Sequence, residues 1–278
     1  MKNYLLSSVI ACLALAPITT THAQDNPYEK LNWEWGPTEG AIGNKAEIHV
    51  PSGYVFLGAA DTKKFMELNQ NLGSENEYVF APEDLSWFAV FEFDPVGYVE
   101  DNETLDADSL LDSVTKGNEA GNVERRKRGW GTMSIKGWKF QPRYDDQSNI
   151  LEWAFLARSD ASQSDVINYN TRLLGRTGVM QVVLVTDPEI LDSSVVSLKQ
   201  ALDNYDFLAG ERYAEFREGD RVAEFGLAAL IAGGAAAVAT KKGFWAVIVG
   251  FMVAAKKFVL VAVIGLFAWI GSLFKRKS

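Results

Sequence analysis

The chain has 278 residues and a net charge of −9, a length that allows one or two compact cores. It contains one cysteine, Cys12, and two histidines, His22 and His49. These counts exclude a disulfide framework, a cysteine-ligated metal and a multi-histidine zinc site built from one chain. The sequence also has no Walker loop, dinucleotide fingerprint or nucleophile elbow, so we predict no cofactor and no metal.

The first 23 residues have the pattern of a secretory signal peptide. Lys2 is the only charge before an apolar run from Tyr4 to Leu15, and the small residue Ala23 ends the segment. The run is too short to cross a bilayer. We therefore predict cleavage before Gln24. Cys12 ends a short lipoprotein-like box, "VIAC", so acylation of this cysteine is the alternative.

The following region predicts short strands separated by turns and a few helices. Alternation or short apolar runs predict strands in "LNWEW", "KAEIHV", "YVFLG", "SWFAVFEF", "ILEWAFLAR", "DVINYNTRLLG" and "GVMQVVLVT". Residues 175–178 are a hairpin turn signal between the last two strands. Helices are predicted in "ADTKKFMELNQNLG" and "DPEILDSSVVSLKQALDNY". This order indicates an α+β fold with a largely antiparallel sheet and two or three helices, followed by a C-terminal helical membrane anchor.

Few residues suggest acid–base chemistry. His49 alternates with the apolar positions Ala46, Ile48 and Val50 of a predicted strand, and we interpret it as a solvated residue because no partner for a general base is visible. Glu83, Asp84, Glu92 and Asp94 permit the acid and base of a glycosidase, a geometry that must be seen in space. Catalysis is therefore the alternative to a non-catalytic role.

Residues 100–128 change from acidic to basic. Counted from Asp101, the sixth and twelfth positions are both aspartate, so the EF-hand pattern fails and only a non-standard calcium site stays open. We predict instead a helix from about Ser109 to Arg128, capped by Asp108.

Four consecutive cations end this predicted helix: Arg125, Arg126, Lys127 and Arg128. Basic residues in a last turn, followed by Gly129, are typical of a helix that complements its dipole and then terminates. The alternative is an anionic-surface patch that faces a partner or the membrane.

The composition changes at Gly226, and the last 53 positions contain no acidic residue. The block from Phe258 to Phe274 has 17 residues, about 25 Å as a helix, which is just enough to span a bilayer. We predict one crossing in residues 258–278 with a basic cytoplasmic tail, and an interfacial helical segment in residues 226–257. Three crossings stay open. The predicted anchor residues are Lys256, Lys257, Trp269, Lys275, Arg276 and Lys277.

Ala229, Gly233 and Ala237 form a small-xxx-small stripe within this segment. Such stripes suit close helix packing in lipid and permit a homo-oligomer. The segment could therefore be membrane-active in its own right.

The predicted exported domain, residues 24–225, is strongly acidic. Without Lys2 and the seven cations after position 225, it has 19 Lys and Arg against 36 Asp and Glu, a net charge of −17. Such a domain repels nucleic acid, so we predict no nucleic-acid partner.

Several phrases together resemble a bacterial family known as domain of unknown function 2167, described as predicted membrane-anchored proteins. They are "VPSGYVFLGAADTKKF", "APEDLSWFAVFEFDPVGYV", "ERRKRGW", "NYNTRLLGRTGVMQVVLV" and "GERYAEFREGDRVAEFGLAALIAGGAAA". The resemblance implies a signal peptide, an exported domain and a C-terminal anchor. It implies no activity, cofactor or catalytic residue.

These observations predict a protein of the bacterial inner membrane with a periplasmic main domain. Its partners would be the lipid bilayer and an envelope protein. We expect a non-catalytic envelope interaction or stress-related module, with a membrane-active protein or a carboxylate-based glycan hydrolase as alternatives.

Overall fold

Eleven strands form two antiparallel sheets in the structure, a computed structural model that describes residues 26–233. In chain order the strands are β1 (Glu34–Trp35), β2 (Thr38–Ile42), β3 (Ala46–Val50), β4 (Tyr54–Leu57), β5 (Glu77–Pro82), β6 (Trp87–Asp94), β7 (Met133–Asp145), β8 (Ile150–Ser159), β9 (Asp165–Leu174), β10 (Val179–Thr186) and β11 (Tyr205–Phe207). The large sheet has the order β1-β4-β5-β6-β10-β9-β8-β7, and the small sheet has the order β11-β3-β2.

Four α-helices accompany the sheets: α1 (Ala59–Leu68), α2 (Ala107–Lys127), α3 (Leu191–Leu202) and α4 (Leu227–Ala232). Short 3-10 turns cover Pro27–Lys30, Pro188–Ile190 and Tyr213–Glu215. The predicted α+β class with a large antiparallel sheet is confirmed. None of the described helices is long and apolar enough to cross a membrane. The predicted signal peptide with Cys12 and the predicted span with its anchor residues lie outside the described residues.

The large sheet is buried on both faces. In β6, Phe88 and Val90 belong to the core shared with α1, α2 and α4, whereas Trp87, Ala89 and Phe91 belong to the core shared with α3 and the small sheet. Successive strand residues point to opposite faces, so strands that are covered on both sides are apolar along their whole length. This explains why "SWFAVFEF" shows no alternation.

Helix α2 begins two residues earlier than predicted. Asp106 is its N-cap, and the Asp106 carboxylate accepts from Ser109 N at 3.2 Å, while Asp108 lies in the first turn. Either aspartate suits a helix start, and the one whose carboxylate reaches the third helical N–H is the cap. The helix ends as the basic run predicts, with Arg128 as C-cap and Gly129 at φ +72°.

Two buried asparagines of α2 join the helix to the start of β7. Asn122 Nδ2 donates to Met133 O at 2.9 Å, and Met133 N donates to Asn122 Oδ1 at 2.9 Å. Asn118 Nδ2 donates to the same carbonyl at 2.6 Å. A polar helix with few large apolar residues is thus held on the sheet partly by buried hydrogen bonds.

We predict that Asn122→Ala lowers the free energy of unfolding by about 1–3 kcal/mol, because it removes the side-chain acceptor of a buried N–H and one of two donors to a buried C=O. Urea unfolding of the full chain measures this change. Lys116→Ala, at an exposed position of the same helix, is the control and should stay within about 0.5 kcal/mol of the parent protein. If the two substitutions lowered the free energy of unfolding equally, the hydrogen bonds of Asn122 would not be what holds α2 on the sheet.

Candidate functional site

Two clefts in the described residues combine buried polar side chains with open volume. The acidic cleft contains Ser74, Glu77, Glu92, Asp94 and Gln181 and has a volume of about 610 Å³. The Glu152 cleft contains Arg143, Glu152, Tyr169, Lys199 and Tyr205 and has a volume of about 710 Å³. Both volumes lie within the usual range for ligand sites.

The acidic cleft lies at one end of a polar row across the large sheet. Glu77 of β5 pairs with Glu92 of β6, which pairs with Gln181 of β10, which pairs with Arg172 of β9. Cross-strand partners share a face, so four strands place polar side chains side by side on the face that α2 covers. Asp94 follows Glu92 on the same face of β6.

Burial raises the pKa values of the carboxylates in the acidic cleft. Ser74 joins two of them, because its N–H donates to Glu77 at 3.0 Å and its hydroxyl donates to Glu92 at 2.8 Å. Burial raises the pKa of Glu77 to about 7, and the nearby Glu92 charge adds to the shift. Burial also raises the pKa values of Glu92 and Asp94. All three groups therefore shift in the same direction.

Arg172 is the cation behind this cleft. It is 6% exposed, and among residues 26–233 no carboxylate lies within salt-bridge distance of it. Its guanidinium lies 4.7 Å from the centroid of the Trp153 ring, and burial lowers its pKa to about 10. The negative charges of Glu92 and Asp94, on the far side of Gln181, act in the opposite direction and raise the pKa of Arg172.

The four carboxylates named in the sequence analysis as an acid–base set fall in two places. Glu92 and Asp94 lie together in the acidic cleft, whereas the exposed Glu83 and Asp84 lie in the turn between β5 and β6. Glu77 was not among the candidates, because only the pairing of β5 with β6 brings it beside Glu92.

His49 has a partner that the sequence does not reveal. His49 Nδ1 lies 2.7 Å from Glu39 Oε1, its neighbour across β2 and β3. Both side chains are exposed, and neither lines one of the two clefts. The described residues also contain no group of three or more His, Cys, Asp or Glu that could hold a metal ion.

Arg125 faces away from the predicted basic patch. It is 3% exposed, and its Nε donates to Gly131 O at 2.6 Å. The residue therefore binds the turn after α2 and is not available to an external anion.

The other three cations of the run are exposed. Lys127 Nζ lies 3.3 Å and Arg128 Nε lies 3.2 Å from the Glu124 carboxylate of the same helix, and Arg128 also lies over the Trp130 ring. Arg126 completes the exposed set. Because Glu124 and Arg128 line the rim of the acidic cleft, the basic run ends at that cleft.

In the predicted stripe of small residues, the first member is part of the domain. Ala229 is buried in α4, which packs on α2, and Gly233 ends α4 as a left-handed C-cap at φ +98°. Ala237 lies outside the described residues. The start of the segment 226–257 thus contributes to the core under α2.

Glu152 is the centre of the second cleft and is tied to three elements. Tyr169 of β9 donates to Glu152 Oε2, Lys199 of α3 lies 3.0 Å from the same oxygen, and Arg143 of β7 donates to Oε1 at 2.5 Å. Burial would raise the pKa of Glu152, but these hydrogen bonds together hold it below its usual value. The carboxylate is therefore ionised and its acceptor sites are occupied.

A β-bulge brings Arg143 to this carboxylate. Phe140 pairs with Ala154 and Arg143 pairs with Glu152, so β7 has one residue more than β8 over this interval. Without the extra residue, Arg143 would point to the opposite face. Pro142 is tolerated there because β7 is the edge of the large sheet.

Tyrosines form a wall of the Glu152 cleft. The Tyr144 hydroxyl donates to Asp101 at 2.8 Å, and the Tyr213 hydroxyl donates to Val99 O at 2.9 Å. The Tyr213 ring also stacks on Tyr98, with centroids 4.4 Å apart. These contacts fix the two rings that line the cleft.

The structure defines the class of this protein as an α+β domain with a large antiparallel sheet and two polar clefts. The chain belongs to the family of proteins of unknown function DUF2167, whose model matches residues 34–267. No protein of curated function matches the sequence. A similar solved structure is the solution structure of cyanobacterial PsbP (CyanoP) from Synechocystis sp. PCC 6803. It is 11% identical, with a TM-score of 0.37, over 61% of this chain and 91% of that chain.

We predict that Glu77→Gln makes the domain more stable above pH 7. A folded-state pKa of about 7, against 4.5 for the free group, means that the native protein loses stability as pH rises from about 4.5 to 7. The variant does not lose this stability, which amounts to at most about 3 kcal/mol of the free energy of unfolding. Its amide oxygen can still accept from Ser74 N.

Thermal unfolding of the full chain between pH 4.5 and 8 measures the effect. Glu83→Gln, at an exposed position, is the control and should keep the parent pH dependence. A parent-like slope in the Glu77→Gln protein would show that the pKa of Glu77 is not raised in the folded protein.

Proposed function

We propose that this protein is a membrane-tethered, extracytoplasmic binding module that holds an envelope component in the Glu152 cleft. The observation that carries the proposal is the set of contacts at Glu152. One buried carboxylate fixes a tyrosine hydroxyl and two cations at the wall of a cleft of about 710 Å³. Such a preformed arrangement suits recognition, because the side chains are already ordered before a ligand enters and binding then costs less conformational entropy.

The pKa shifts support binding over acid–base catalysis. Glu152 is held ionised, and its oxygens already accept from three partners. In the acidic cleft, Glu77, Glu92 and Asp94 all shift upward. A hydrolase with two carboxyl groups needs one acid and one partner that is held ionised, and within residues 26–233 none of these three carboxylates has an ion pair that would hold it ionised. A glycan hydrolase therefore has less support than a binding module.

The tether is supported by the sequence on either side of the described residues. The first 23 residues resemble a signal peptide, and Phe258–Phe274 is long enough to cross a bilayer before a basic tail. The main domain would then lie outside the cytoplasm. A membrane-active role of residues 226–257 has less support at its first turns, because α4 is part of the domain core.

A reporter fused after Ser278 tests the tether. We expect the full chain to stay in the membrane fraction after alkaline extraction, with the reporter active in the cytoplasm and residues 24–225 open to protease from the periplasmic side. A stop after Gly233 should release the domain into the periplasm. A full chain that is extracted at high pH, or a reporter active outside the cytoplasm, would contradict this topology.

Site-specific photo-crosslinking in cells tests the cleft. A benzophenone amino acid replaces the exposed Asp203 at the cleft wall in one full-length protein. In the control it replaces the exposed Val123 of α2, on the other face of the large sheet. We expect an envelope adduct from position 203 that is absent from position 123. Adducts from both positions, or from neither, would count against the Glu152 cleft as the binding site.

A further inference from the structure

We propose that the ligand of the Glu152 cleft is a neutral, hydroxyl-rich glycan, an inference that rests on the binding function proposed above. Three properties of the cleft point to this class: the balance of its charges, its supply of donors and acceptors beside fixed aromatic rings, and a buried tyrosine hydroxyl that has no partner among the described residues.

The charges of the cleft are balanced and selective for neither sign. Arg143 and Lys199 flank Glu152, and Arg212 binds Asp206 through two contacts of 3.0 and 2.7 Å. Two further carboxylates, Asp145 and Asp203, complete the charged lining, which therefore has three cations and four carboxylates. A site that selects a strongly charged ligand presents one predominant sign. This cleft does not.

The polar groups instead suit hydroxyls, which both donate and accept. Lys199 uses one of three ammonium hydrogens on Glu152, and the Arg143 guanidinium has donors beyond those that reach the same carboxylate. Ser148 and Asn149 add groups that can donate or accept on the same wall. Interspersed donors and acceptors match the several hydroxyl groups of a sugar ring better than they match a single charge.

Aromatic rings provide the apolar part of such a site. Tyr144 and Tyr213 line the cleft, and hydrogen bonds from their hydroxyls to Asp101 and Val99 O hold them in place. Sugar rings have apolar C–H surfaces beside their hydroxyls. A ligand site that combines apolar walls with a few placed polar groups recognises both kinds of surface.

Tyr205 supplies an independent indication of a ligand. Tyr205 is one of the residues that line the cleft, and its hydroxyl oxygen is buried without a hydrogen-bond partner in the part of the chain that the structure describes. A buried hydroxyl without a partner destabilises the folded protein. If the Tyr205 side chain turns toward the cleft when a glycan enters, a glycan hydroxyl supplies the missing partner.

Calorimetric titration of the full chain with neutral trisaccharides tests the proposal. The probes are the trimer of N-acetylglucosamine and the trimer of glucose, with the trimer of galacturonic acid as the charged comparison. We expect at least one neutral trimer to bind about tenfold more tightly than the galacturonic acid trimer, since the domain is acidic and the cleft has no surplus cation.

Two variants place the binding in the cleft. Lys199→Met should weaken the neutral trimer about tenfold, and Tyr205→Phe should weaken it about fivefold, because each removes a donor. Lys116→Met, on α2 at the other face of the large sheet, should bind like the parent protein. Tyr205→Phe should also unfold at the same or a higher temperature than the parent, so that its weaker binding cannot come from misfolding.

Each other outcome overturns a specific claim. If neither neutral trimer binds while position 203 still crosslinks to a protein, the binding function stands and the glycan proposal is wrong. If the charged trimer binds as tightly as the neutral ones, the argument from charge balance is wrong. If no saccharide binds and position 203 gives no adduct, the Glu152 cleft is not a binding site and both proposals are wrong. Binding that is unaffected by Lys199→Met and Tyr205→Phe would place the glycan elsewhere.

Discussion

The burial of the large sheet on both faces is the constraint on which the rest of the structure depends. Helices α1, α2 and α4 cover one face, and α3 with the small sheet covers the other. A polar side chain in a central strand must therefore find a partner inside the protein or lie where the cover ends. Both clefts occur at such limits: Glu77 and Glu92 at one end of β5 and β6, and Glu152 beside the edge strand β7.

The same constraint decides which parts of the fold were predictable. Turns, helix ends and apolar strands depend on local residues, so the hairpin at residues 175–178 and the end of α2 at Arg128 agree with the sequence prediction. The N-cap of α2 differs because Asp106 and Asp108 are equally suitable in local terms. The pairing of β10 with β6 and of β11 with β3 joins segments far apart in the chain, and no local pattern specifies it.

The candidate sites also combine residues that a local pattern groups with residues that only the fold brings together. Glu92 and Asp94 could be grouped from the sequence because they are two residues apart on one strand. Glu77 and Arg172 join them only through strand register. Within β7, Pro142 is the one residue type near the Glu152 cleft that indicates an edge strand or a bulge, but the sequence analysis predicts no strand around it. The remaining members of this cleft come from β9, α3 and β11 and could not be assembled without the fold.

The two clefts differ in how far the fold explains them. Arg172 is a buried cation without a direct ion pair among the described residues, a costly arrangement unless opposite charge lies nearby. Glu92 and Asp94 supply that charge across Gln181, so the acidic cleft already has a structural role as the counter-charge of Arg172. At the other cleft, the buried Glu152 carboxylate is likewise the counter-charge of Arg143 and Lys199, whereas the Tyr205 hydroxyl has no hydrogen-bond partner among the described residues. The lining of the Glu152 cleft therefore includes a buried polar group, the Tyr205 hydroxyl, that contacts within the described residues do not account for.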